Sequence, residues 1–119
     1  MDAKDRQALV PHIVRVLENA VSGKPPRPRY ITSYQILAGL PPAELATLVA
    51  KFGPGGAGAN RFYTSASAIA EVMKHELAAA VDVEYLNTNG ARFEIDGQLV
   101  EAGYDVVGLY RLRQTEDAG

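Results

Sequence analysis

Three features of the sequence predict an α+β fold, with an N-terminal bundle of about four helices followed by a three- to four-stranded antiparallel sheet. Apolar residues recur at spacings of three and four up to about residue 80, the period of helices with one buried face. From Val81 the rhythm changes to strict alternation, the period of strands. Two dipeptides that tolerate positive φ at both centres of a tight turn, Asn89-Gly90 and Asp96-Gly97, then join the strands as a meander. At 119 residues one core suffices, so residues 1–119 are expected to form a single domain.

The first helix is expected over residues 1–22. Leu9, Ile13, Val16, Leu17 and Ala20 form its stripe, which Val10, Val14 and Val21 widen. Pro11 lacks an amide donor and crowds the preceding turn, so the helix is expected to kink there or to start near Val10. Ser22-Gly23 closes it. Residues 24–29, Lys-Pro-Pro-Arg-Pro-Arg, then predict a stiff, extended, basic connector.

A helical part follows over residues 30–80. Thr32 and Gln35 stand three apart ahead of Ile36, Leu37 and Leu40, the pattern of a capping box. Pro41-Pro42 stops this second helix and supplies a first-position proline for a third, whose stripe is Leu45, Leu48, Val49 and Phe52. Gly53-Pro54 suits its end. The glycine-rich run to Asn60 forbids regular structure, and Thr64 or Ser65 caps a fourth helix with Ile69, Val72, Met73, Leu77 and Ala80 on its apolar face. In residues 81–113, Val81, Val83 and Tyr85 and then Phe93 and Ile95 alternate with polar residues, and a last strand runs from Tyr104 to Arg113. Residues 114–119 are expected to fray.

Composition excludes several function classes. The chain has no cysteine, which removes disulfides, thiolate metal sites and cysteine nucleophiles, and points to the cytoplasm. The N-terminus predicts neither a signal peptide nor a membrane anchor. His12 and His75 have no partners at metal-site spacing, and GPGGAGAN lacks the Lys-Ser/Thr ending of a nucleoside-triphosphate loop. No cofactor, no metal and no enzymatic activity are therefore expected. Net charge is −2, but residues 1–75 carry nine Lys/Arg against five Asp/Glu, and residues 76–119 three against nine. An anionic partner should meet the helical half.

The order of helices followed by a hairpin resembles winged helix-turn-helix domains, with AELATLVAKFG similar to a support helix, TSASAIAEVMKHEL to a recognition helix and VDVEYLNTNGARFEI to the wing. The resemblance implies duplex DNA as partner and a role in transcription regulation. On it, Thr64, Ser65 and Ser67 would offer hydroxyls and amides to phosphate at a helix N-terminus, with Asn60 and Arg61 just ahead, while Arg92 reaches out from the wing. Arg27 and Arg29 would add attraction independent of base sequence. The stretches GPGGAGANRFYTSASAIAEV and VEAGYDVVGLYRLR are also similar to small bacterial proteins of no established activity.

Bland readings compete at each place. Ser and Thr ahead of an apolar run are most often caps, and Arg92 is more often a cross-strand partner of a Glu. The alternative function is a protein-interaction module of inhibitor, immunity or adaptor type. Six tyrosines and an acidic second half would then form a surface for a basic partner or a homodimer.

Overall fold

A computed structural model describes residues 1–53, 63–87, 91–101 and 106–114. Helix α1 spans Ala3–Asn19, and the Asp2 side chain caps it by accepting from the Asp5 amide at 2.8 Å. Leu9, Ile13 and Leu17 are its buried positions. The helix runs through Pro11, so of the two sequence expectations, a kink there or a start near Val10, the late start does not occur. Pro11 is exposed and the Gln7 carbonyl, which loses its amide partner, belongs to an exposed residue that water can reach.

Helix α1 ends earlier than residue 22, because Val21–Ser22 forms strand β1. It pairs antiparallel with β2, Arg27–Pro28, in the register Val21↔Pro28 and Ser22↔Arg27. The segment 24–29 is thus half of a hairpin and not an extended connector. Prolines exclude helix, but they allow a turn between short edge strands, and Gly23 at φ 91° supplies the left-handed residue this one needs. Strand β3, Ile31–Thr32, follows immediately.

Helix α2, Ser33–Ala38, starts with the predicted capping box. The Gln35 amide donates to Thr32 Oγ1 at 3.1 Å, and the Thr32 amide donates to Gln35 Oε1 at 2.8 Å. Helix α3, Pro42–Phe52, has proline in its first turn and Gly53 at its end, with φ 78°. Helix α4 covers Ser65–Glu76 behind Thr64. It stops short of Ala80, since residues 78–80 form a turn in which the Ala80 amide donates to the Leu77 carbonyl.

Four further strands are described: β4 Val81–Asn87, β5 Arg92–Ile95, β6 Gln98–Glu101 and β7 Val106–Leu112. The expected meander of β4 with β5 does not form. β4 pairs instead with β7, from Val81↔Leu112 to Asn87↔Val106, and β3 pairs with the other edge of β7, giving the order β3-β7-β4. β5 and β6 form a separate two-stranded ladder around Asp96-Gly97, both at positive φ (51° and 78°), as that turn requires. Asn89-Gly90 lies outside the described residues, as does the glycine-rich segment beyond Gly53. The physical reason for the exchange of partners is ladder length and charge. β7 offers seven register positions and sets Arg111 opposite Asp82, whereas β5 offers four and is taken by the tight turn to β6.

The fold is therefore α+β with four helices and antiparallel sheets among the described residues, but the helices are not a separate N-terminal bundle. Short strands interleave with them, and the core is common to both. Ile13 and Leu17 of α1, Ile36 and Leu37 of α2, Ile69, Val72 and Met73 of α4, Val81 and Ile95 belong to one buried cluster. Tyr34 of α2 stacks on Phe93 of β5, ring centroids 4.8 Å apart and 7° from parallel, which ties the small ladder to the helices.

Candidate nucleic-acid interface

The N-terminus of α4 was expected to present hydroxyls to phosphate, and the structure shows what those hydroxyls do. Thr64 is buried, and its Oγ1 accepts from the Ser67 amide at 3.4 Å and lies 3.3 Å from Ser67 Oγ. Ser65 is fully buried; its amide donates to the Gly53 carbonyl at 3.2 Å and its hydroxyl donates to the same oxygen. These contacts cap α4 and pin it to the end of α3, so Thr64 and Ser65 face inward. Ser67 is half-buried beside them. Asn60 and Arg61 lie outside the described residues.

The remaining candidates are arginines on hairpins. Arg92 is exposed at the start of β5, and its guanidinium lies 3.3 Å from Glu101, its register partner on β6. That is the cross-strand pairing the sequence allowed as the plainer account. Arg27 and Arg29 are exposed on and just after β2, and neither takes part in an ion pair among the described residues. The structure thus brings Thr64, Ser65 and Ser67 together, and places Arg27 and Arg29 on one hairpin and Arg92 on another.

Sequence reasoning missed two polar groupings. Asp82 on β4 lies between Arg111 (3.1 Å) and Arg113 (3.2 Å), and the hydrogen bond from Arg111, joined by that from Arg113, holds its carboxyl below the usual range. Arg111 also stands over the Tyr30 ring, 4.5 Å from its centroid, which fixes the chain just after β2. The signal was present in the alternation Arg111, Leu112, Arg113, but only the β4–β7 register brings it to Asp82. Beside α1 and α4, the Tyr63 hydroxyl donates to Glu71. Burial, and then this bond, push the phenol well above its ordinary value, while the bond from Tyr63 holds the Glu71 carboxyl below its own. Arg6 approaches the same region and pairs with Glu76 at 3.7 Å.

Chemically, Asp82 with its two arginines and Tyr63 with Glu71 are already satisfied by one another, whereas the buried Arg6 Nε makes no hydrogen bond among the described residues. Among the described residues no three His, Cys, Asp or Glu side chains gather as a metal site, and no helix is long and apolar enough to cross a membrane. One apolar feature stands apart: β4 is the outer strand of its sheet, and it exposes Val83, Leu86 and most of Tyr85, which is 73% accessible. Compared with known proteins, the chain matches no family model, no curated protein and no solved structure.

Proposed function

We propose that the chain is a DNA-binding or regulatory protein of winged-helix type that contacts the phosphates of duplex DNA. The observation that carries this reading is the succession at α4. The helix leads within a few residues into β4, and the β5–β6 hairpin follows before the chain returns through β7 to pair with β4, a helix-then-hairpin order that supports the resemblance with β5–β6 in place of the β4–β5 wing. The buried roles of Thr64 and Ser65 make them supports of α4, and leave phosphate contact to cations such as Arg61, which lies outside the described residues, and the exposed Arg92. The excess of Lys/Arg in residues 1–75 supports an anionic partner for that part of the chain.

The test is fluorescence anisotropy of a labelled 20-base-pair duplex, titrated between about 50 and 200 mM salt. Affinity is expected to fall steeply with salt, and the double change Arg61→Ala, Arg92→Ala to flatten that dependence by about one unit of slope per lost contact. No binding at the lowest salt ends this reading.

The exposed edge of β4 favours a second reading, a protein-interaction module. Among the described strands β4 pairs on one side alone, and such an edge, with Val83, Tyr85 and Leu86 exposed along it, is a template for strand addition, for which the acidic character of residues 76–119 would select a basic segment. Capture of one stoichiometric protein, lost on Tyr85→Lys, and no nucleic acid would favour it over the first.

A further inference from the structure

We infer that the β1–β2 hairpin is a preorganised arm that grips the nucleic-acid phosphate backbone through Lys24, Arg27 and Arg29. This inference rests on the DNA-binding reading above and adds to it the element that supplies the contact. The ten residues Val21–Tyr30 contain three cations and no acid. All three cations are exposed, and none is neutralised by an ion pair among the described residues. The other described arginines except Arg15 are held by carboxylates: Arg6 by Glu76, Arg92 by Glu101, and Arg111 and Arg113 by Asp82.

The backbone suits the task. Arg27, Pro28 and Arg29 alternate exposed, half-buried and exposed, as expected of a strand with one face outward. The Arg29 amide continues the ladder by donating to the Ala20 carbonyl at 2.9 Å. Two residues apart on a strand, the two arginines stand roughly 6.6 Å from one another. Phosphates of one DNA strand succeed each other every ~3.4 Å along the axis, so two long side chains on this face reach separate phosphates.

Three prolines in Lys24–Arg29 cut the number of unfolded conformers, so little ordering entropy remains to be lost on binding. Tyr30, held under Arg111, anchors the base of the arm to the three-stranded sheet. A membrane contact is the less suitable account, because the hairpin offers only Val21 as an exposed large apolar residue, too little for interfacial insertion.

The experiment compares the full chain with the triple variant Lys24→Ala, Arg27→Ala, Arg29→Ala, which keeps every proline and removes no contact of the core. Both are titrated with the same 20-base-pair duplex across salt, with circular dichroism melting as the check on folding. The slope of log affinity against log salt is expected to fall by about 1 for each cation removed. Lys4→Ala, in the first turn of α1 and roughly 25 Å along that helix from the hairpin, is expected to leave the slope unchanged.

An unchanged slope in the triple variant, with the wild type still binding, overturns the arm and leaves the DNA-binding reading standing. A loss with Lys4→Ala as large per charge as with the triple variant overturns it too, since net charge would then be the cause. Absence of duplex binding by the wild type overturns both. Binding to phosphatidylserine vesicles that the triple change abolishes, while duplex binding is unaffected, makes the hairpin a lipid contact and overturns the inference.

Discussion

Tyr63 and Glu71 show how a single polar pair makes stability depend on pH at both ends. The bond needs a neutral phenol and an ionised carboxylate. Glu71 is lowered from an ordinary value of 4.5, so its contribution is present above that value and is lost as pH falls through the folded one. Tyr63 is raised from 10.0, so its contribution is present below pH 10.0 and is lost as pH rises through the folded value. Tyr63→Phe is therefore expected to cost about 1 kcal/mol at pH 7 and less at pH 3, below the ordinary carboxyl value of 4.5. Urea unfolding at the two pH values measures this, and an equal loss at both would mean that the hydroxyl contributes independently of the Glu71 carboxylate. Gly108 is a second residue whose role is steric: a Cβ there would meet the Tyr110 hydroxyl at 2.6 Å and its ring carbon at 2.8 Å. Gly108→Ala is expected to displace that ring from its place beside the core and to lower stability by about 1 kcal/mol or more. Restoration by the double change Gly108→Ala, Tyr110→Val would identify the clash as the cause. Neither role was legible in the sequence, because Tyr63 meets Glu71 eight residues on and Tyr110 leans back over Gly108 two residues before it, and both depend on side-chain directions that spacing alone does not give. The hydroxyls of Thr64 and Ser65 illustrate the same limit for the candidate site. Their place at a helix start was readable, but the attachment of Ser65 to the Gly53 carbonyl joins residues twelve apart in the chain.

At the scale of elements, what was legible is what short-range chemistry decides. The Thr32–Gln35 box, the prolines opening α3, the glycine after Phe52 and the Asp96-Gly97 turn each depend on residues within four positions, and each forms where expected. The box also has a measurable weight. Thr32 is buried, and its hydroxyl covers a first-turn amide of a helix only six residues long, so Thr32→Ala is expected to cost about 1–2 kcal/mol. Thr32→Ser, which keeps the acceptor oxygen, should recover most of that loss in the same denaturation series. What was not legible is partner choice. Alternation at Val81, Val83 and Tyr85 correctly marked a strand, yet only Val81 is buried, because β4 is an outer strand and runs beyond the helices that cover its first residue. The proline-rich stretch reads as extended because each proline excludes helix for itself and disfavours it for its predecessor. Its closure into β1–β2 depends on the pairing of Ser22 with Arg27 across Gly23.

For the whole molecule, the topology makes β7 the piece that unites the two ends of the chain. It is the only strand among the described residues with partners on both sides, β3 from residues 31–32 and β4 from 81–87. Closing contacts between Ile31 and Tyr110 orders a long loop, and that entropic cost is recovered only when the buried helices pack against the sheet. Cooperative opening should therefore expose α2, α4 and β7 together, whereas ladders with little buried surface open alone. The β1–β2 hairpin has both strands almost wholly exposed, and in β5–β6 the β6 side exposes Leu99 at 66% while Ile95 of β5 is fully buried. Native-state hydrogen exchange is thus expected to give three tiers. Amides of α2, α4 and the β7 ladder exchange only through global unfolding, those of β5–β6 through an intermediate opening, and those of β1–β2 through local opening of the hairpin, faster than either but slower than free peptide. Under rising urea the first tier should track the global unfolding free energy and the last should show almost no denaturant dependence. If β1–β2 amides instead shared the protection of β7, the arm would be part of the cooperative core, and its exposed cations would be fixed by that core and not by the hairpin alone.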